Sequence, residues 1–240
     1  RTALAKSVNI ISARVTQTLT PQRVVEFAHD LGIESEIPPY PSICLGVTEL
    51  SVLEMTSAYG TFANEGRRSP PVFVKEIRDR DGKVIFSHQL NDHEVIRPDI
   101  AYAMVDMLRG SFGRVSGIKG GIKTPDNKQV DLGGKTGTTQ NNSDGWFMGV
   151  TPGLVAGVWV GCSERQMRFR TTRLGQGAYM AKPIWTRFMQ SVYRDAQTAP
   201  VKHRFREPKD FDIPLRCTST RRANPYEVRP EERPKGMSGW

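Results

Sequence analysis

The 240-residue sequence lacks most of the features that assign a chain to a class at first reading. No apolar run approaches the length of a membrane-spanning helix, and residues 1–4 are not typical of a signal peptide. The three cysteines, Cys44, Cys162 and Cys217, form no Cys-x-x-Cys pair, and the four histidines are scattered. The pattern indicates neither a zinc site nor a disulfide framework, so we expect no metal and no cofactor.

Acidic residues are outnumbered: 25 Asp and Glu stand against 34 Lys and Arg, a formal net charge of +9. Such an excess of basic residues can bind nucleic acid, an anionic membrane surface or an anionic polymer. The sequence contains none of the usual nucleic-acid-binding motifs. We therefore interpret most of the charge as a solvated basic surface and expect no nucleic-acid partner.

The composition changes after Ala199-Pro200, and this change predicts two regions. Arg, Pro and Glu dominate from there to Trp240, with few apolar residues, as in tails and poorly packed extensions. Contact with an anionic polymer or membrane is one open role for this segment, and disorder is the other. We expect a globular part over residues 1–197 and a basic extension over residues 198–240.

The hydrophobic pattern predicts helices mixed with antiparallel strands. Ser51 and Glu54 have the spacing of a capping box, which predicts a helix through Ala63, and Asp81-Gly82 between two apolar runs predicts a β-hairpin. Residues 110–128, rich in glycine, lysine and serine, are interpreted as a loop. Further helices are predicted within 2–19, 22–31, 98–108 and 179–196, and strands at 146–150 and 154–161. The mixture favours an α+β or three-layered α/β class, with an antiparallel sheet covered by helices.

One run of small and hydroxyl-bearing residues carries the strongest functional signal: Gly133-Gly134-Lys135-Thr136-Gly137-Thr138-Thr139. Glycine lets a ligand approach the backbone, while lysine and threonine supply a positive charge and hydroxyl donors. We interpret the run as an edge strand that binds an anionic group. A phosphate-binding P-loop would need a glycine where the chain has Gln129.

Two short motifs in this chain match one enzyme family. Lys135-Thr136-Gly137 matches the Lys-Thr-Gly motif of the penicillin-recognising serine acyltransferases, and the family's Ser-x-Asn motif occurs upstream as Ser7-Val8-Asn9. Residues 135–149 closely resemble class A, bifunctional penicillin-binding proteins. So do three shorter segments, at 45–50, 53–55 and 183–185. The sequence is identified as a member of this family, corresponding to the C-terminal part of its transpeptidase domain.

This resemblance implies a fold and an activity. The fold would be that of penicillin-binding transpeptidases and serine β-lactamases, a five-stranded antiparallel sheet with helices on both faces and a helical subdomain beside it. The activity would be the cross-linking of peptidoglycan stem peptides at D-Ala-D-Ala through an acyl-serine intermediate, which β-lactams inhibit. The implied partners are stem peptides or lipid II, and β-lactam antibiotics.

The resemblance also implies three catalytic residues. Lys135 would supply positive charge to the cleft and lie near the hydroxyl of Ser7. Ser7 would relay a proton toward the leaving amine. Asn9 would hold the amide side chain of the substrate.

Four further residues would bind the substrate. The hydroxyls of Thr136 and Thr138 would bind the carboxylate of D-Ala-D-Ala, and the N–H of Thr138 would be one donor to the oxyanion. Gly137 would leave room for the ligand. Thr139, the next residue of the run, is included among these substrate-binding residues.

The Ser-x-x-Lys motif, which holds the family's nucleophile, is expected outside this sequence. In the family it lies upstream of Ser-x-Asn, and only six residues precede Ser7. One formal match at residues 116–119 is interpreted as a coincidence, because its glycine-rich surroundings disfavour a helix. Since the sequence also lacks an initiator methionine, we expect it to begin within a longer protein. Its upstream part would carry the nucleophile, a glycosyltransferase module and an anchor in the cytoplasmic (inner) membrane, with the domain on the outer, periplasmic side.

Three other functions remain open. A non-catalytic module that senses β-lactams or binds peptidoglycan would keep the pocket without turnover, although residues 138–142 fit the synthases better. A serine β-lactamase would need a further base, which the sequence does not reveal. Nucleic-acid binding, suggested by the charge although we expect no such partner, would show a steep dependence on salt.

Overall fold

A computed structural model describes residues 1–115, 121–164 and 166–215 of the chain. The helices are α1 (Thr2–Ala5), α2 (Asn9–Leu19), α3 (Pro21–Asp30), α4 (Val52–Ala63), α5 (Pro98–Val115), α6 (Thr172–Gly175) and α7 (Ala181–Arg194). The strands are β1 (Arg67–Arg68), β2 (Glu76–Arg78), β3 (Val84–Ser87), β4 (His93–Glu94), β5 (Gly133–Thr138), β6 (Asp144–Val150) and β7 (Val155–Gly161). Short 3-10 helices lie at Pro41–Leu45 and Gln140–Asn142. Within the described ranges, no helix has the length and apolar character needed to cross a membrane.

Three strands form the central sheet of the described residues, in the order β5-β6-β7, and both pairings are antiparallel. Lys135 lies opposite Met148, and Trp146 lies opposite Trp159. β5 is therefore an edge strand in this part of the chain, as its composition predicts. The resemblance implies a sheet of five strands, whereas the described sheet has three. Two further strand pairs lie apart from it: β1 with β4, and β2 with β3. The β2–β3 pair is the hairpin predicted at Asp81-Gly82.

Helices cover both faces of this sheet. On one face, α7 contributes the fully buried Trp185 and Met189, which share a core cluster with Phe147 of β6. On the other face, α4 approaches β7 so closely that a Cβ on Gly157 would lie 2.4 Å from the hydroxyl oxygen of Thr56. The prediction of an antiparallel sheet between helical layers is confirmed.

The first helices have a core of their own, in which Val25 of α3 and Ala58 of α4 are buried together. Helix α4 begins with the predicted capping box. The Ser51 hydroxyl accepts a hydrogen bond from the N–H of Glu54 at 3.1 Å, and the Glu54 carboxylate accepts one from the N–H of Ser51 at 3.0 Å. Hydrogen bonds from Ser51 and Ser35 lower the pKa of Glu54 to about 2. This carboxylate therefore joins the start of α4 to the connector that follows α3.

Residues 198–215 form an irregular segment that contacts the domain, although none of them is fully buried. The predicted boundary between residues 197 and 198 stays a prediction. Asp131, buried just ahead of β5, accepts hydrogen bonds from Arg109 of α5 and from Arg204, both at 3.3 Å. The same carboxylate accepts the N–H of Phe205 at 3.2 Å. These non-local contacts, which composition does not reveal, hold the segment. Residues 216–240, including Cys217, lie outside the described ranges.

Helix α5 is longer than the sequence predicts. The prediction ended this helix at Leu108 and placed a loop from residue 110, but the helix runs to Val115. Gly110 stays helical in contact with the side chain of Arg1, whose Nε would lie 2.4 Å from a Cβ added there. Tertiary contact here outweighs the low helix propensity of glycine. The formal Ser-x-x-Lys match at residues 116–119 lies outside the described residues.

We expect Gly149→Ala to destabilise the fold by about 1–3 kcal/mol, the usual cost of overpacking. A Cβ at this position on β6 would lie 2.2 Å from the ring of Trp185, which is fully buried and cannot move aside. Urea unfolding followed by tryptophan fluorescence measures the change.

The matched control is Gly60→Ala in α4, where a Cβ would meet nothing within 4 Å. Because alanine favours a helix over glycine, we expect this variant to gain about 0.5–1 kcal/mol. Equal stability of the two variants would contradict the packing of α7 on β6.

Candidate functional site

Strand β5 presents its side chains to two different faces. A Cβ on Gly133 would lie 3.1 Å from the Cβ of Leu108, so this residue faces α5. Because side chains alternate along a strand, Lys135 faces the same way, whereas Thr136 and Thr138 face the opposite way. The run therefore offers a cation on one face and two hydroxyls on the other, along one edge of the described sheet.

The backbone N–H of Thr138 points toward this open edge. In an antiparallel pair, hydrogen-bonded and non-hydrogen-bonded residue pairs alternate. Thr139 donates its N–H to the carbonyl oxygen of Asp144 at 3.3 Å, so the neighbouring pair, Thr138 with Gly145, is of the non-hydrogen-bonded kind. The Thr138 N–H is thus turned away from β6, where a ligand lying along β5 can accept it.

The ammonium group of Lys135 is the centre of the site. Its Nζ donates to the hydroxyl oxygen of Ser7 at 2.5 Å and to the carbonyl oxygen of Thr136 at 2.6 Å. Burial lowers the pKa of Lys135 below the ordinary value of 10.5, because loss of water disfavours the charged form. No carboxylate of the described residues contributes to this shift. The cation is therefore placed to pair with an anion brought in by a ligand.

Ser7 is held beside Lys135 by the first helix of the chain. Helix α1 packs against α5, and Arg1 forms an ion pair with the buried carboxylate of Asp106 on α5 at 3.0 Å. Ser7 follows α1 with a φ of 49°, a left-handed conformation that residues other than glycine adopt rarely. The predicted pair of Ser7 and Lys135 is thus in contact. Asn9, the first residue of α2, is exposed.

The threonines of the run differ in their surroundings. Thr136 is half-buried and Thr138 is exposed. The hydroxyl of Thr138 accepts a hydrogen bond from the N–H of Gly177 at 3.3 Å. The hydroxyl of Thr139 accepts one from the N–H of Asp144 at 3.0 Å and so closes the turn between β5 and β6. A contact between Thr139 and substrate stays a prediction, as do the assigned roles of the other residues.

A segment that the sequence motifs did not single out borders the far end of β5. The N–H of Phe169 donates to the carbonyl oxygen of Asn142 at 3.1 Å. A Cβ added to Gly175 would lie 2.3 Å from the Cβ of Asn142. A Cβ added to Gly177 would lie 2.3 Å from the carbonyl oxygen of Trp146. Two glycines just ahead of the predicted helix at 179–196 were the available signal for such close contact.

These contacts suit an anionic ligand better than a metal ion. A half-buried ammonium, two hydroxyls and an outward N–H can bind a carboxylate and polarise a neighbouring carbonyl group. Among residues 1–115, 121–164 and 166–215, no cluster of three or more His, Cys, Asp or Glu is arranged to hold a metal.

Comparison with curated proteins finds penicillin-binding protein 1A from several bacteria among the relatives of this chain. The chain is 33% identical over 197 residues to penicillin-binding protein 1A of Aquifex aeolicus, covering 81% of this chain and 26% of the relative. It is 30% identical over 208 residues to penicillin-binding protein 1A of Neisseria meningitidis, covering 84% of this chain and 25% of the relative. The chain thus spans about a quarter of the length of these relatives.

Solved structures show the same fold. The PonA1 protein of Mycobacterium tuberculosis, in complex with penicillin V, superposes with a TM-score of 0.72 at 27% identity, over 87% of this chain and 59% of that one. Penicillin-binding protein 1A of Haemophilus influenzae gives a TM-score of 0.69 at 23% identity, over 82% of this chain and 34% of that one. The second likeness concerns the fold alone. The penicillin-binding transpeptidase fold implied by the resemblance is confirmed.

A family profile agrees with the structural likeness. The profile described as the penicillin binding protein transpeptidase domain matches residues 1–164, which include Ser7, Asn9 and the whole of β5. The contact between Ser7 and Lys135 thus lies inside the matched region. This chain belongs to the penicillin-binding protein transpeptidase domain family.

Proposed function

We propose that this chain is part of a peptidoglycan D-Ala-D-Ala transpeptidase that cross-links stem peptides through an acyl-serine intermediate. The observation that carries the proposal is the contact between the Lys135 ammonium and the Ser7 hydroxyl beside the open edge of β5. The related PonA1 protein was solved with penicillin V, and a β-lactam mimics D-Ala-D-Ala. The substrates are peptidoglycan stem peptides, as such or carried on lipid II.

The reaction consists of two transfers. In the first, a serine hydroxyl oxygen attacks the carbonyl carbon between the two D-alanines, the C–N bond breaks, and the serine proton passes to the departing amine. In the second, the amine of a neighbouring stem peptide attacks the serine ester, loses a proton, and the serine hydroxyl is restored. The nucleophilic serine belongs to a Ser-x-x-Lys segment outside the 240 residues, a further part of our proposal.

The described residues supply binding and proton transfer. Lys135 attracts the terminal carboxylate of the donor peptide, and the hydroxyls of Thr136 and Thr138 hold it. The Thr138 N–H, turned to the open edge, donates to the oxyanion formed by attack. Ser7, hydrogen-bonded to Lys135, passes the proton to the leaving amine. Asn9 binds the amide of the substrate, and Gly137 keeps the strand clear of side chains.

The parent protein, in this proposal, is a bifunctional peptidoglycan synthase. It carries a glycosyltransferase module and a membrane anchor, and this domain faces the periplasmic side of the cytoplasmic membrane. The names of the curated relatives motivate this wider proposal. A non-catalytic module that binds β-lactams or peptidoglycan is the alternative, and acyl transfer to an amine distinguishes the two.

We expect Lys135→Ala to slow labelling of the full-length protein by fluorescent penicillin at least 100-fold. The substitution removes the cation that pairs with the β-lactam carboxylate and leaves the Ser7 hydroxyl without its partner, and the loss of such a group costs on the order of 10²–10³ in rate. Gel fluorescence after timed exposure measures the rate, and peptide mapping of the adduct identifies the acylated serine.

Lys128→Ala is the matched control, since Lys128 is exposed and pairs only with the exposed Asp126 in the described residues. It should label at the unmutated rate. If the Lys135→Ala variant were labelled at the unmutated rate, Lys135 would have no role in the acylation. If the unmutated protein were not labelled at all, the non-catalytic binding module would be favoured over the transpeptidase.

We expect labelling to slow on the alkaline side at a pH below 10.5, the ordinary lysine value. The folded-state pKa of Lys135 is lowered, so its cation is lost earlier on raising the pH than that of a free lysine. Labelling rates measured from neutral pH upward test this. Lys135→Arg stays charged throughout and should lack this decline. The same decline in both proteins would assign it to another group.

A further inference from the structure

A basic segment lies beside the far end of β5, where the proposed mechanism assigns no residue. Residues 166–175, called here the arginine loop, contain Arg168, Arg170 and Arg173 and no acidic residue. All three arginines are exposed. None forms an ion pair with an acidic side chain of the described residues. They are therefore free to meet an anion from outside the domain.

The arginine loop is fastened to the turn that follows β5. The N–H of Phe169, between two of the arginines, donates to the carbonyl oxygen of Asn142 at 3.1 Å. Gly175, at the end of the loop, lies so close to Asn142 that a Cβ would be 2.3 Å from the Asn142 Cβ. The hydroxyl of Thr171 accepts from the N–H of Leu174 at 3.3 Å and caps α6. The arginines are thus carried on backbone with a defined position next to the site.

The direction of the donor peptide leads to this loop, on the basis of the proposed function. The terminal carboxylate is held beside Lys135 and Thr136, and the scissile carbonyl oxygen is met by the N–H of Thr138. The line from the terminal carboxylate to the scissile carbonyl of the donor therefore runs along β5 toward Thr139. The rest of an extended donor, on the N-terminal side of its D-Ala-D-Ala end, continues past Thr139 toward Asn142 and the arginine loop.

We propose that Arg168, Arg170 and Arg173 form a subsite for an acidic donor peptide, one that carries a carboxylate on the N-terminal side of its D-Ala-D-Ala end. A guanidinium group pairs with a carboxylate through two parallel hydrogen bonds, and such charge-assisted bonds are stronger than neutral ones. Each exposed pair is worth little alone, so the subsite depends on several arginines acting on one flexible chain. This subsite selects among donor peptides and takes no part in the acyl transfer itself.

The test compares two synthetic donors with the full-length protein. Both are short peptides that end in D-Ala followed by a thioester leaving group with a carboxylate, so that acylation releases a thiol measured by absorbance. They differ at one upstream residue, which carries a free carboxylate in one donor and the corresponding amide in the other. We expect the unmutated protein to show a kcat/KM about tenfold higher for the acidic donor at low salt, and this preference should shrink as salt screens the charges.

The variant with Arg168→Gln, Arg170→Gln and Arg173→Gln together should lose this preference. Its rates with the amide donor and with fluorescent penicillin should stay unchanged, which also shows that the site is folded. Each single Arg→Gln variant should lose part of the preference. Arg80→Gln, at the turn between β2 and β3 with a side chain 94% exposed, is the matched control and should keep all of it.

Two results would overturn the subsite. One is equal rates for the two donors in the unmutated protein. The other is a triple variant that slows both donors and penicillin alike, which would assign the arginine loop a structural role. Failure of the proposed function is a separate result: an unmutated protein that neither reacts with penicillin nor releases thiol from either donor.

Discussion

The close packing of helix α5 on strand β5 is the constraint on which the site depends. Gly133 permits it, since a Cβ there would lie 3.2 Å from a backbone nitrogen of the helix. The same helix carries Asp106, whose ion pair with Arg1 fixes the segment that leads to Ser7. Ser7 and Lys135 are therefore both positioned through α5. Their contact at 2.5 Å follows from that shared support, because sequence separates the two residues by more than half of the chain.

Partial burial gives Lys135 its chemical character. An ammonium group removed from water loses hydration that a hydroxyl and a carbonyl oxygen only partly replace. Its lowered pKa reflects this loss. A carboxylate that enters beside it restores the missing interaction, so binding of an anion is favoured where binding of a neutral group is not. The exposed arginines of the arginine loop remain hydrated, and in our proposal each would contribute less to binding than the half-buried Lys135 does. The two groups of cations therefore suit different tasks, anchoring of the reacting end and selection among donors.

Features set by neighbouring residues were predictable from the sequence. The capping box of Ser51 and Glu54 and the β2–β3 hairpin depend on residues a few positions apart, and both formed as predicted. The Lys-Thr-Gly run on an edge strand was also foreseen. The features that the sequence did not predict involve distant partners. The continuation of α5 past Gly110 involves contact with Arg1, and the packing of residues 198–215 depends on Asp131. Composition and periodicity carry no information on such pairs.

The sequence by itself determined the family, the helical and strand segments, and the residue types available for binding an anion. Those properties follow from short motifs and from the local conformational preferences of the chain. Only the tertiary structure decided that the Ser7 hydroxyl meets the Lys135 ammonium, that the Thr138 N–H turns to an open strand edge, and that three arginines lie beyond the end of that strand. Each of these depends on how separate elements pack, and packing is a property of side chains that meet in space from distant positions in the chain.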